Sequence, residues 1–369
     1  MLTTVRNLEN YFKNLFVGPH YHYHLDLPKM MLPDQSDINI EYLNWRSRDD
    51  LHIFDVSDEP YRERIAERFA EVCAGLEFKK FLILSHSLKY NNNVSFNNII
   101  YFPHNYFDPV YFWDQETALK NINSYDRKYF VSCLNAQARM SRIYNYIKLK
   151  QKTYNNELLL SLHNSPTHAG NDLNSPADWI PEDYWSEWNA IRFNLPKLKE
   201  NDLDIGHSAY HDAYINLVTE TFVQPFEQFF SEKVYKPISC GQLFIIIGST
   251  GAVANLRSMG FDTFDDIIDH SRYDFRNTWR SRIDIIHEML DELKDLNWSK
   301  IYEETKLRRL ANVRHFFSGL AVLPYARNIA NRMSYISKDT YYYDHHLILG
   351  KHDFRSPYVK LPSMHHLLK

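Results

Sequence analysis

Short, almost unbroken apolar runs set among helical patterns constrain this chain more than any other feature of it. Lys79-Lys80-Phe81-Leu82-Ile83-Leu84-Ser85, Tyr129-Phe130-Val131-Ser132-Cys133-Leu134 and Phe244-Ile245-Ile246-Ile247 lack the strict in-out alternation of a half-solvated strand. Runs of this length, rich in Ile, Val and Leu, fit parallel strands covered on both faces. Parallel neighbours need long crossovers, usually helical and right-handed, so the chain must alternate strand and helix.

The helical patterns sit where that rule requires them. Asp58 caps a predicted helix with Pro60 in its first turn, Ile65, Phe69, Val72 and Cys73 at spacings of three and four, and Gly75 at its close. Asp37 to Leu43 alternates as a strand does, and Leu51 to Val56 and Asn98 to Phe102 are further short apolar runs. Residues 1–125 therefore read as one α/β domain, and the polar stretch from Asn121 to Asp126 marks its end. Residues 126–305 read as a second α/β domain. Its elements are the Tyr129 strand, a helix from about Gln137 to Lys150, a less regular stretch over 151–210, and a helix around Ala213 to Val223. A helix near Lys233 to Cys240, the Phe244 strand and a Gly248-Ser249-Thr250-Gly251 turn opening a helix to Met259 follow. Ile283, Ile286, Met289, Leu290 and Leu293 form an apolar stripe expected in the core. Residues 306–369 read as a basic C-terminal helix and extended tail packing back across both domains.

With 44% hydrophobic and 24% charged residues the chain can fill two cores, at roughly 100–200 residues per domain, which excludes the disordered and low-complexity classes. Cys73, Cys133 and Cys240 are too few and too scattered for a disulfide framework or a zinc cluster, so a reducing compartment is expected. No stretch approaches ~18 apolar residues and the opening Met1 to Arg6 has no signal-peptide core, so the expected setting is the cytoplasm, without a membrane span. The net charge of −4 hides an asymmetry: residues 306–369 hold eleven Lys and Arg against three Asp, a net +8, leaving −12 for the first 305. A basic end of this kind suits a phosphate-bearing partner, and equally a basic helix folded against an acidic domain.

Only ten glycines are present, with no G-x-G-x-x-G, P-loop, G-x-S-x-G or H-E-x-x-H pattern, so any phosphate must be held another way. His20, His22 and His24 would share one face of a strand as metal ligands or as a cleft wall. His207 and His211, with Asp212 beside them, are a second candidate pair, and Asp202-Leu203-Asp204 matches the short D-x-D pattern that holds Mn²⁺ or Mg²⁺ against a diphosphate. The dense constellation lies elsewhere. Asn135, Arg139 and Arg142 follow directly on a predicted strand, where guanidinium forks join helix N-terminal N–H groups to hold an anion, unless both Arg are ordinary solvated residues. Glu220, Glu232 and Lys233 add two carboxylates and an ammonium, with Ser231 capping the helix that Glu232 begins. A carboxylate there can accept ribose hydroxyls while the ammonium neutralises phosphate; a charged helix cap has the same spacing.

Ser231-Glu232-Lys233-Val234-Tyr235-Lys236-Pro237-Ile238, the strand to Ile247 and Gly248, and Leu256 to Phe264 resemble the donor-binding half of fucosyltransferase-like glycosyltransferases. They are closer still to glycosyltransferases encoded by tailed phages, and Cys133-Leu134-Asn135 with Arg139 and Arg142 resembles the segment that precedes this block in them. The resemblance covers about residues 128 to 275. It implies a GT-B architecture, two Rossmann-like α/β domains facing a cleft, with the nucleotide-sugar on the second. It implies Arg139 and Lys233 at the diphosphate, Glu232 at the ribose, and Asn135, Arg142 and Glu220 in the donor pocket. Ala136-Gln137-Ala138 departs from relatives that carry further Arg or Pro there.

The expected function is transfer of a sugar from a UDP- or GDP-sugar to an acceptor hydroxyl, with no cofactor beyond the donor and no metal, since fixed cations stabilise the departing diphosphate. The catalytic base for an inverting reaction is sought at strand ends in the first domain: Asp26 or Asp55, with His86 and His104 behind them. The basic tail and the phage resemblance point to hydroxylated or hydroxymethylated cytosine in double-stranded DNA as acceptor, with Tyr341, Tyr342 and Tyr343 available to hold a flipped base. A cell-surface polysaccharide or lipopolysaccharide acceptor, or a non-catalytic nucleotide- or DNA-binding protein, are the alternatives.

Overall fold

Two four-stranded parallel sheets organise the computed structural model. It describes residues 16–17, 21–24, 51–56, 65–75, 80–85, 98–101, 103, 106, 113–120, 122–135, 139–162, 205–223, 229–338 and 342–343. A short antiparallel pair joins β1 (Phe16–Val17) to β10 (Tyr342–Tyr343). The strand predicted over Asp37–Leu43 lies outside the described residues.

The first sheet runs β2 (Tyr21–His24), β3 (Leu51–Val56), β4 (Lys80–Ser85) and β5 (Ile99–Tyr101) in chain order. Helix α1 (Ile65–Gly75) crosses from β3 to β4, and its Phe69 ring meets Phe54 at 5.2 Å. Ile53 registers with Leu82 and Phe54 with Ile83, so Leu51, Ile53, Leu82 and Leu84 face the other way. That second face joins one continuous core with α10 (Leu323–Ser337), whose Tyr325 packs edge-on against Tyr101. The C-terminal helix thus covers the N-terminal sheet. This is why residues 80–85 read as continuously apolar: a sheet with both faces covered has no polar side to show.

In the second sheet the order is β7 (Leu158–Leu162), β6 (Tyr129–Asn135), β8 (Ala213–Thr219) and β9 (Leu243–Ile247). Ala213–Thr219 is a strand where the sequence pattern predicts a helix. Its β-branched Ile215, Val218 and Thr219 sit at the centre of a parallel sheet, where apolar runs carry no usable period. Leu158–Leu162 is a further strand inside the stretch read as irregular, paired to β6. The predicted helices appear as α3 (Met140–Lys150), α5 (Glu232–Ser239), α6 (Ala252–Ser258) and α7 (Trp279–Leu293), with the short α2 (Gln115–Leu119) and α4 (Ser208–His211) beside them. All five residues of the apolar stripe on α7 are buried.

Helices α8 (Trp298–Glu304) and α9 (Lys306–Phe317) tie the units together. Phe316 of α9 packs on both Trp113 and Tyr235, and Tyr106 packs edge-on against Tyr235. Part of the basic C-terminal charge is spent inside the fold. Arg308 forms ion pairs with Asp262 and Asp266, and the fully buried Arg309 donates to the carbonyls of Gly241, Ile122 and Tyr302 at 3.0, 3.3 and 2.8 Å.

Candidate nucleotide-binding site

The order of the second sheet reverses between β6 and β8: β7 is added on one side of β6, β8 and β9 on the other. Crossovers on either side of such a point leave opposite faces of the sheet, opening a crevice beyond the carboxyl ends of the two strands. Asn135 ends β6 and Glu220 follows β8, so the predicted constellation falls on this crevice.

Arg139 is the half-buried N-cap of α3 with extended backbone, and its guanidinium donates to the Thr221 carbonyl at 3.4 Å. Arg142, one turn on, does not stand beside it at the surface as the spacing predicts. It is 2% exposed and donates to the Thr219 carbonyl at 3.3 Å. Burial and the Arg139 charge pull its guanidinium down to about 10, against the attraction of Glu220 and Glu232, so it stays a cation at neutral pH. Asn135 is buried; its Nδ2 donates to the Cys133 sulfur at 3.3 Å, and its Oδ1 has no hydrogen-bond partner among the described residues.

Glu220 lies wholly inside. Its carboxylate accepts from the Thr221 N–H at 3.1 Å, the Ser231 N–H at 2.8 Å and the Ser231 hydroxyl at 2.7 Å. Ser231 also accepts from the Lys233 N–H at 3.3 Å, capping α5 as its sequence position predicts. Glu220 therefore binds the end of β8 to the start of α5. Burial raises its carboxyl above the usual range, with Lys233 and the Ser231 hydrogen bonds opposing. Glu232 and Lys233, on the first turn of α5, pair with each other and are both partly exposed. Burial pushes the Glu232 carboxyl up, but the Lys233 charge and hydrogen bond outweigh it and hold it below its ordinary value.

Arg139, Arg142, Lys233 and Lys236 thus share one electrostatic neighbourhood with Glu220 and Glu232, four cations against two carboxylates. Such an excess of positive charge can attract an anion. Arg139, Glu232 and Lys233 are partly exposed, whereas Arg142 and Glu220 are buried, Glu220 fixing the Ser231 cap of α5. The other helix start at this end of the sheet is already filled: the Asp274 carboxylate accepts from the Val253 and Ala254 N–H groups at 3.0 Å each, closing the N-terminus of α6.

Sequence reasoning missed the residues that fix this rim. Three successive carbonyls after β8 accept from three different elements: Thr221 from Arg139, Phe222 from the Ser249 hydroxyl and Val223 from Arg282. Arg282, 1% exposed on α7, also donates to Thr250 and to the Arg276 carbonyl. Nothing in the pattern Trp279-Arg280-Ser281-Arg282 distinguishes this arginine from a solvated one.

The remaining candidates fare differently. Asp55 occupies β3 between His24 and Leu84, near the strand's carboxyl end; its side chain lies outside the described residues, as do Asp26, His86, His104 and Asp202 to Asp204. His22 and His24 are two apart on β2, with side chains outside the described residues. His207 and His211 are not poised as a ligand pair: His207 Nδ1 accepts from the Ala209 N–H at 3.1 Å, and the buried His211 Nε2 lies 2.9 Å from the Ile205 carbonyl. Among the described residues no three His, Cys, Asp or Glu converge on a common point, and no helix is long and apolar enough to cross a membrane. Neither a family model, a curated protein nor a solved structure matches the chain.

Proposed function

We propose that this chain is a nucleotide-sugar-dependent glycosyltransferase with its two α/β units in a GT-B arrangement. The observation that carries the reading is the cluster of four cations and two carboxylates where the strand order reverses. Arg139 and Lys233 take the diphosphate of a UDP- or GDP-sugar, Glu232 accepts from the ribose hydroxyls, and Asn135 Oδ1 accepts a further ligand donor. As the glycosidic bond breaks, charge gathers on the leaving diphosphate, and Arg139 and Lys233, already held by the Thr221 carbonyl and by Glu232, stabilise it. The return of α10 to the first sheet favours two units acting on one cleft. Asp55 is the proposed base for the acceptor hydroxyl, and Asp26 the second candidate.

The acceptor we propose is hydroxymethylated cytosine in duplex DNA, on the strength of the basic C-terminal region. Arg308 and Arg309 are committed to internal partners, so DNA contact falls to other residues of that region, such as Lys306 and Arg327.

A thermal-shift panel of UDP, GDP and their sugars tests the donor reading: a nucleotide at 100 times its Kd adds about 2.7 kcal/mol to stability. Release of nucleoside diphosphate should vanish in Lys233→Ala while the fold persists. Release that survives the substitution, or a protein that neither binds nucleotide nor turns over, overturns the assignment. DNA binding should weaken steeply with salt; affinity indifferent to salt favours the polysaccharide acceptor.

A further inference from the structure

Phe275 is the one phenylalanine among the described residues that stands exposed, at 63%, while the other large exposed apolar residues are Met140, Leu296, Leu307 and Tyr335. Its backbone is held on both sides. On one side Asp274 is buried, its carboxylate closing α6 and its carbonyl accepting from the Gly251 N–H at 2.8 Å. On the other, the Arg276 carbonyl accepts from the Thr250 hydroxyl at 3.3 Å and from Arg282. The same Arg282 guanidinium grips Val223, two residues beyond the carbonyl that receives Arg139. A phenyl ring on a slack loop would fold down onto apolar surface; this one is presented to solvent by a backbone that cannot follow it.

The loop sits beyond the carboxyl end of β9, and the Arg282 guanidinium that bonds both Arg276 and Val223 ties it to the segment whose Thr221 carbonyl receives Arg139. An exposed aromatic on a preorganised support tied to the Arg139 rim has the character of a stacking surface. We infer that Phe275 stacks on the nucleobase of the donor, an inference that rests on the glycosyltransferase reading of the cation cluster.

Titration calorimetry of UDP, GDP and inorganic pyrophosphate against wild type, Phe275→Ala and Phe275→Trp tests it. Phe275→Ala should weaken both nucleotides about 5- to 100-fold and leave pyrophosphate unchanged. Phe275→Trp should keep nucleotide affinity, with a fluorescence change on binding UDP or GDP and none on binding pyrophosphate. Because the ring is exposed, both variants should melt with wild type. Nucleotide affinity untouched by Phe275→Ala overturns this inference alone, as does equal loss of pyrophosphate and nucleotide. A wild type that binds no nucleotide overturns the glycosyltransferase reading and this inference with it.

Discussion

Acidification should unfold this protein through a histidine that the fold requires to be neutral. His270 is 1% exposed, with Nε2 2.9 Å from the Thr263 carbonyl and Nδ1 2.7 Å from the Tyr273 hydroxyl. A carbonyl only accepts, so Nε2 carries the proton and Nδ1 accepts from Tyr273, whose oxygen in turn accepts from the Ile246 N–H at 3.2 Å. Every group in this chain is satisfied, and a second ring proton would face the tyrosine's own. Burial accordingly lowers the imidazole from 6.5 to about 4. The unfolded chain takes up a proton near pH 6.5 that the folded chain refuses until about pH 4, so the contribution is intact above 6.5 and lost as the pH falls. The shift amounts to about 3 kcal/mol in full, of which about 2 kcal/mol is lost between pH 7 and pH 5. Urea unfolding of wild type and His270→Gln across that range isolates the effect, because His211 and His287, both also lowered by burial, remain in each. The variant should be less stable at pH 7, with the gap narrowing by about 2 kcal/mol at pH 5. A gap independent of pH, or an NMR titration of folded His270 near 6.5, would refute the reasoning.

Ser231→Ala removes both the cap on Lys233 and a donor to Glu220, and should cost about 1–2 kcal/mol in urea unfolding while weakening any nucleotide bound at α5. Neighbouring arginines of α9 should behave oppositely. Arg309→Met strands three buried carbonyls and should cost at least about 3 kcal/mol. Arg308→Ala breaks two ion pairs on a side chain 37% exposed and should cost about 1 kcal/mol or less, shrinking further in high salt. Gly260 has φ +91°, and a Cβ there would lie 2.9 Å from His315 Nε2; Gly260→Ala should lower stability by about 1–3 kcal/mol, measured by calorimetry.

Much of the described fold was legible because buried parallel strands leave a strong mark. The runs at Lys80, Tyr129 and Leu243 are apolar on both sides, and Ser231 and Gly251 punctuate helix starts with recognisable chemistry. Ala213–Thr219 misled because a central strand and a buried helix segment both read as unbroken apolar sequence, and Leu158–Leu162 was hidden among polar neighbours. The candidate site was legible as residue types, Arg139, Arg142, Glu220, Glu232 and Lys233, but not as roles. Whether an arginine faces solvent or a carbonyl depends on what packs over it, and no local pattern records that. Arg142, which the sequence offers as an anion ligand or a solvated residue, and Arg282, which it does not distinguish from a solvated one, are both buried on carbonyl oxygens.

The amino-acid order by itself determined the α/β class, the parallel sheets and the chemistry on offer near residues 135–142 and 220–233, since these depend on local period, caps and charge. Only tertiary structure decided the strand order that sets β6 beside β8, the passage of α10 onto the first sheet, and the burial of Arg142 and Glu220 beneath Arg139, Glu232 and Lys233. Those outcomes belong to contacts between residues some eighty positions apart, such as Arg142 with Thr219, and an interaction of that kind is set by packing of whole elements rather than by any window of the chain.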